Sequence, residues 1–138
     1  MKTTNKFWLI NLCTSGVLSL AAVPALALAD VYVIANSATA VTDADIRDIF
    51  LGDKQLAGST KLVPVDNGPA QDEFLSKALK MESAKYNSTW TKKSFREGLN
   101  PPSVRSGDLE VIEFVKKTPG AIGYVRSSPS GVKVLQKF

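Results

Sequence analysis

Residues 30–138 of this chain predict a single α/β domain with a mixed β-sheet flanked by helices. Short runs of β-branched and aromatic residues alternate with longer segments in which apolar residues recur at helical spacing, as in a layered α/β fold. Glycine, proline and asparagine separate these segments. The predicted order is β-α-β-α-α-α-β-β, without an internal repeat, a low-complexity tract or an interdomain linker.

The first strand and helix form a βα unit. Residues 31–35 are apolar and rich in β-branched side chains, so they predict a buried strand. Thr42 is expected to cap the next helix, whose first turn is acidic, and Gly52 lies just past the end of that helix. The apolar face of this helix comprises Ile46, Ile49 and Phe50.

A second strand and helix follow. Residues 54–60 are turn-like, and residues 61–65 predict a strand in which Pro64 indicates an edge position or a neighbouring bulge, because proline lacks a ladder N–H. Pro69 suits the first position of the next helix. The apolar residues of that helix are Ala70, Phe74, Leu75, Ala78 and Leu79.

A more polar helix is predicted over residues 82–97. Tyr86, Trp90 and Phe95 supply its apolar contacts, and we expect Trp90 and Phe95 to fill the core. The alternative is a surface for nucleic acid or an acidic ligand, because basic residues stand among these aromatic side chains. The basic residues are Lys92, Lys93 and Arg96.

The C-terminal third contains one more helix and two strands. Pro101 and Pro102 end the preceding helix, and Ser106 is expected to cap the next one. Residues 121–125 predict a compact strand and residues 131–138 a weaker one. The apolar residues of the last helix are Leu109, Val111, Ile112, Phe114 and Val115.

Residues 1–29 predict a cleaved export signal. Two lysines precede an apolar segment at residues 7–27, and a small-x-small tripeptide ends at Ala29, directly before Asp30. A transmembrane anchor is the competing interpretation, but polar residues and a proline interrupt the apolar segment. Cleavage leaves residues 30–138 as one periplasmic or secreted domain without a membrane anchor.

Composition argues against several classes of function. The chain has no histidine, and its one cysteine, Cys13, leaves with the signal. The mature domain then lacks the usual transition-metal ligands and the common nucleophile and base pairs, so neither enzymatic activity nor a metal or cofactor is predicted. Loss of two lysines lowers the formal charge from +4 to about +2, which disfavours nucleic acid as a partner.

Four segments together resemble the phosphate-type periplasmic solute-binding proteins of ABC transporters. They are residues 46–52 (IRDIFLG), 62–66 (LVPVD), 74–75 (FL) and 118–125 (TPGAIGYV), in the family's order. The similarity is greatest to short members with one periplasmic-binding-protein-like lobe, whereas full-length receptors have two lobes that close on the ligand. The resemblance implies an exported solute-binding protein, with phosphate or another small oxyanion as ligand and ABC transporter membrane subunits or another exported protein as partner.

Two loops supply the predicted ligand contacts, one after each of the first two strands. Open α/β sheets bind ligands at the carboxyl ends of their strands, where both loops lie if these strands are parallel. Helix-start N–H groups there favour negative charge, although ordinary turn and capping chemistry explains the same residue types. The predicted ligand-binding residues are Ser37, Thr39, Asn67, Gly68, Ala70 and Gln71.

The second loop departs from the anion site of the resembling family. The larger phosphate receptors have an arginine and a Ser-Gly-Thr sequence at this point, whereas residues 65–71 here contain neither arginine nor a hydroxyl group. Asp66 would repel an anion, and Pro69 lacks an N–H. The alternative function is therefore a ligand-free interaction module of an exported or membrane-associated complex.

Overall fold

The computed structural model describes residues 30–138, so the predicted export signal lies outside the described residues. The strands are β1 (Tyr32–Ala35), β2 (Leu56–Ala57), β3 (Thr60–Lys61), β4 (Val63–Asn67), β5 (Ser103–Arg105), β6 (Ala121–Val125) and β7 (Lys133–Lys137). The helices are α1 (Ile46–Phe50), α2 (Gln71–Phe74), α3 (Ser83–Glu97) and α4 (Asp108–Lys117). Within this range, no helix is long and apolar enough to cross a bilayer.

Short helical turns extend the first two helices. A 3₁₀ turn at Asp43–Asp45 leads into α1, and another at Gly68–Ala70 leads into α2. The segment Leu75–Leu79 continues α2 as a π-helix. The chain from residue 68 to residue 79 therefore forms one helical stretch that begins with proline in its first turn, as predicted.

The main sheet has the strand order β5-β4-β6-β1-β7. β4 runs parallel to both β5 and β6, whereas β1 runs antiparallel to β6 and β7. The sheet is therefore mixed and flanked by helices, which confirms the predicted fold class. A separate small sheet pairs β2 with β3 inside the segment predicted to be only a turn.

The two ends of the described chain meet at the β1–β7 side of the sheet. Val31 N–H donates to Phe138 O at 3.1 Å, and Phe138 N–H donates to Val31 O at 2.8 Å. β7 is an edge strand, and β5 forms the other edge of the same sheet. The ends therefore lie on the side of the sheet away from β5.

Each face of the sheet carries its own hydrophobic cluster. On one face, Phe50, Phe74 and Tyr124 pack together, with the Phe74 and Tyr124 rings stacked at 3.9 Å between centroids. On the other face, Val111 and Val115 of α4 pack on the sheet. The domain therefore has three layers, with α1, α2 and α3 on the first face and α4 on the second.

The predicted start and end of the first helix are confirmed. Thr42 N–H donates to Asp45 Oδ2 at 2.9 Å, and the Thr42 hydroxyl lies 3.2 Å from the same oxygen. Gly52 follows the helix with φ +77°, a conformation that costs other residues more. A side chain there would also collide with the ring of Trp90, since a Cβ atom would lie 2.7 Å from it.

Pro64 lies in an interior strand, so the predicted edge position is wrong. Val63 N–H donates to Gly120 O toward β6, and alternation along a strand turns the next backbone nitrogen toward β5. Pairing with β5 begins only at Val65, opposite Ser103. Pro64 therefore stands where the ladder with β5 has not yet started, and its missing N–H leaves no ladder bond unmade.

Phe95 is 92% exposed, so its predicted core position is wrong. Tyr86 and Trp90 of the same helix are buried, as predicted. Phe95 follows Trp90 by five residues, which is about 140° from it around a helix of 3.6 residues per turn. That rotation turns Phe95 away from the core and onto the rim of α3.

The start of α4 also differs from the prediction. Gly107 precedes the first helical residue, while Ser106 donates its backbone N–H to Glu110 Oε2 at 3.2 Å instead of capping the helix with its side chain. Leu109 is exposed because the buried face of α4 is formed by Val111 and Val115. The short strand β5, which precedes this turn, was not predicted at all.

Gly123 provides a test of the packing between β6 and α4. A Cβ atom at this position would lie 2.6 Å from Val111 Cγ1 and 3.1 Å from Val65 Cγ2. We expect Gly123→Ala to lower the free energy of unfolding by about 1–3 kcal/mol through overpacking. Adding Val111→Ala should recover part of that loss, as measured by urea denaturation. Equal costs with and without the second substitution would contradict this account of the interface.

Candidate functional site

The predicted ligand contacts fall into two groups that lie at opposite edges of the sheet. Because β1 is antiparallel to β6 and β4 is parallel to it, β1 ends where β6 begins and β4 ends where β6 ends. Asn36 N–H accordingly bonds Ala121 O, whereas the Asn67 side chain bonds Tyr124 O. The structure therefore separates Ser37 and Thr39 from Asn67, Gly68, Ala70 and Gln71.

The loop after β1 ties that strand to the end of α4. The Asn36 side-chain amide donates to Val115 O at 2.8 Å and to Lys116 O at 3.1 Å. Thr39 is buried, and its hydroxyl accepts a bond from Gly120 N–H at 2.9 Å. These contacts give Thr39 a role in holding the chain together at this edge.

Polar groups at the other edge converge on a carboxylate of the chain itself. Asp108 Oδ1 accepts a 2.7 Å bond from the amide of fully buried Asn67. The same carboxylate accepts bonds from the backbone N–H groups of Arg126 and Ser127 and from the Ser127 hydroxyl, at 2.9 to 3.2 Å. Burial alone would raise the pKa of Asp108, but these hydrogen bonds outweigh it and hold the pKa below its usual value.

The helix start after β4 is partly occupied by its own bonds. Gln71 N–H donates to Gly68 O within the 3₁₀ turn, and the Gln71 side-chain amide lies 3.3 Å from Asp66 Oδ2. Arg126, the nearby cation, pairs with Glu73 at 3.0 Å. Of the donors predicted here, both the backbone and the side chain of Gln71 therefore already have partners.

Asp66 is a buried carboxylate on the α3 side of β4, with only 2% of its surface exposed. The hydroxyl of Tyr86 donates to it at 3.0 Å, and that of Tyr124 donates at 3.0 Å. Burial raises the pKa of Asp66 to about 6, and the bonds from Tyr124, Tyr86 and Gln71 oppose that shift without cancelling it. Burial likewise raises the pKa values of both tyrosines.

An open groove of about 710 Å³ lies beside Asp66, between α3 and β5. It is lined by Asp66, Gln71, Tyr86, Asn87, Trp90, Thr91, Ser94, Phe95, Pro101, Pro102 and Val104. Val104 is the register partner of Asp66 across the β4–β5 ladder, so both side chains project from the same face of the sheet. The groove thus has a mostly apolar wall and a carboxylate at its floor.

Sequence reasoning found part of this arrangement and missed the rest. Asp66 was noted only as a repulsive group, and its tyrosine partners lie 20 and 58 residues further along the chain. Asp108 looked like an ordinary residue of a helix start. The available signal was the run of polar residues directly after the apolar part of β4. Among the residues that the structure describes, no group of three or more metal-ligating side chains occurs.

No protein-family model matches the chain, and no curated protein matches it. Two solved structures are similar to it. An ABC-type phosphate transport receptor from Vibrio cholerae has 17% identity and a TM-score of 0.48, over 79% of this chain and 47% of the receptor. PstS from Borrelia burgdorferi has 19% identity and a TM-score of 0.45, over 78% and 47% of the two chains. This chain spans about half the length of either receptor.

The raised pKa of Asp66 predicts how stability depends on pH. The folded state holds this proton up to about pH 6, whereas the unfolded state releases it near the ordinary value of 3.8. The contribution of Asp66 is therefore fully present below the unfolded pKa and is lost as pH rises through the folded one, by up to about 3 kcal/mol.

We expect Asp66→Asn to flatten this dependence in urea denaturation from about pH 4.5 to about pH 6.5, because the amide does not titrate. The exposed Asp48→Asn serves as a matched control and should keep the wild-type slope. Parallel curves for wild type and Asp66→Asn would contradict the assignment. Asp108 contributes in the opposite direction and at lower pH, because its pKa is lowered.

Proposed function

We propose that the chain is an exported, receptor-like lobe that acts by docking on a partner of the cell envelope, without carrying a free oxyanion. The observation that supports this proposal is the bonding of Asp108. An oxyanion site needs converging donors, and at this edge the Asn67 amide, two backbone N–H groups and a hydroxyl already converge on the Asp108 carboxylate. An internal anion therefore occupies these donors.

Charge also disfavours a free anion at this edge. Asp66 and Asp108 lie on either side of Asn67, the first as its chain neighbour and the second as its hydrogen-bond partner. Like charges repel strongly where protein excludes water, so a phosphate dianion beside two carboxylates is opposed on both sides. The partner expected from the sequence resemblance is a membrane subunit of an ABC transporter or another exported protein.

Phosphate carriage is the second candidate. The turn Gly68–Ala70 opens a helical stretch at the carboxyl end of β4, where backbone N–H groups and the helix dipole favour negative charge. The residues that would take part are Asn67, Gly68, Ala70 and Gln71. Ser37 and Thr39 stand at the opposite edge and are left out of this candidate site.

Calorimetry separates the two candidates. We expect no heat when the purified mature protein is titrated with millimolar phosphate or sulfate, and no thermal shift beyond that of a chloride control, because its donors are already bonded. Saturable heat with phosphate would contradict the docking proposal and favour the carrier. A nonspecific salt effect is recognised by its equal size with all three anions.

Removing the internal carboxylate tests its role directly. Asp108→Ala leaves the donors at this edge unpaired, so we expect a loss of about 1–3 kcal/mol in the free energy of unfolding. Added sulfate should restore more stability to this variant than to wild type. Asp45→Ala, which removes a helix-start aspartate at another place, is the matched control and should gain no more than wild type. Equal gains in all three proteins would count against an internal anion.

Export is a separate part of the proposal. Expression of the full chain in a Gram-negative host should yield a periplasmic protein that begins at Asp30, because signal peptidase reads the small residues before it. Intact-mass measurement identifies the first residue. Replacing Ala29 with a bulky residue should leave the precursor uncleaved, whereas the same replacement at Leu28 should not. Cytoplasmic retention of the uncleaved wild-type chain would contradict export.

A further inference from the structure

The groove between α3 and β5 has exposed apolar side chains on its rim. Phe95 of α3 is 92% exposed and Val104 of β5 is 63% exposed, and both line the groove. Exposed apolar side chains that flank a depression are typical of surfaces that bind other molecules. Tyr86 and Trp90 continue the aromatic wall inward to buried positions.

Asp66 is the one charged side chain among the described residues that line this groove. A carboxylate has room for about four hydrogen bonds. Its donors are two phenols and, at 3.3 Å, the amide of Gln71, and none of these groups carries a charge. The negative charge is therefore solvated by dipoles but not neutralised.

A cation is the group that fits both features. Aromatic faces attract ammonium and guanidinium groups through their quadrupoles, and the attraction grows as water is excluded. The carboxylate at the floor supplies the opposite charge, and the hydroxyl and amide groups of Thr91, Ser94 and Asn87 line the groove as further polar contacts. Charge complementarity thus selects a positive group over a neutral or negative one.

The adjacent sheet edge indicates how such a group is presented. β5 pairs with β4 on one side and is an edge strand on the other, and an extended peptide adds to such an edge by backbone bonds. Neighbouring strands lie about 4.8 Å apart, so a residue added beside Val104 stands about 10 Å from Asp66 on the same face. A long basic side chain spans most of that distance.

We propose that this groove binds a lysine or arginine side chain of an extended segment of a partner protein, whose backbone adds to β5 and whose cation is directed at Asp66. The inference rests on the proposed docking function and names the chemistry of the partner. Binding of this kind weakens as Asp66 becomes protonated. The titratable groups that face Asp66 are the phenols of Tyr86 and Tyr124, which stay neutral in this range because burial raises their pKa values.

The test uses two blocked pentapeptides and NMR titration of the isotopically labelled mature protein. One peptide is Thr-Val-Lys-Val-Thr, and the matched control has glutamine in place of lysine. We expect the lysine peptide to shift the indole signal of Trp90 and the amide signals of β5, and to bind at least about tenfold more tightly than the control. Its affinity should fall as the pH is lowered through about 6, the pKa of Asp66 in the free protein.

Variants then locate the cation. Asp66→Asn keeps an acceptor for the tyrosines and should reduce the lysine peptide to the affinity of the glutamine peptide. Phe95→Ser, at a position that is almost fully exposed, should weaken the lysine peptide without lowering stability. Glu113→Gln removes an exposed charge from α4 on the other face of the sheet and should leave binding unchanged. Should Asp66→Asn fail to fold, Phe95→Ser and the pH dependence decide.

Three results would overturn the inference: equal binding of the two peptides, binding of neither at millimolar concentration, or shifts confined to residues outside the groove. A failure of the docking function has a different signature, which is saturable heat with phosphate. Peptide failure in a protein that is also silent to phosphate removes the cation groove and leaves docking through another surface in place.

Discussion

The direction of β6 relative to its two neighbours determines where every loop of this domain lies. β6 runs parallel to β4 and antiparallel to β1, so the loops after β1 and β4 point to opposite edges. Each edge consequently solves its own hydrogen-bonding problem. Asn36 and Thr39 close one edge onto α4 and β6, and Asn67 and Asp108 close the other. A ligand site shared by both loops is excluded by this geometry.

The carboxyl edge of β4 holds two aspartates whose surroundings shift their pKa values in opposite directions. Asp108 is only partly buried and accepts several bonds, two of them from backbone N–H groups, so its ionised form is favoured. Asp66 is more deeply buried and relies on two phenols and one amide, so its neutral form gains ground. The same residue type thus gives a structural anion at one position and an uncompensated charge at the other. Only the second lies beside an accessible groove.

The fold class followed from hydrophobic periodicity because the buried strands and helices of this chain are locally distinct. Residues 121–125 are all buried and read as a continuous apolar run, whereas β5 has three residues, of which none is buried, and left no such pattern. Phe95 was misplaced because aromatic character does not encode the rotation around a helix.

The polar edge was less predictable than the fold for a related reason. Strand direction decides which loops meet, and no single residue reports it. The partners of Asp66 and Asp108 come from distant segments, so their bonds depend on the packing of β4 against β6, α3 and α4. Asn67 and Gln71 were selected correctly as polar residues at the end of β4, but their bonding partners were visible only in the folded chain.

The pairing of Val31 with Phe138 gives the domain a polarity across its sheet. Both ends of the described chain emerge beside β7, and β1, β6 and β4 separate that edge strand from β5. Any covalent linkage at either end, whether a tether, a fused domain or a surface for immobilisation, would hold the domain by one side and present the other. The sheet then works as a spacer, with its attachment point and its aromatic groove at opposite ends of the strand order.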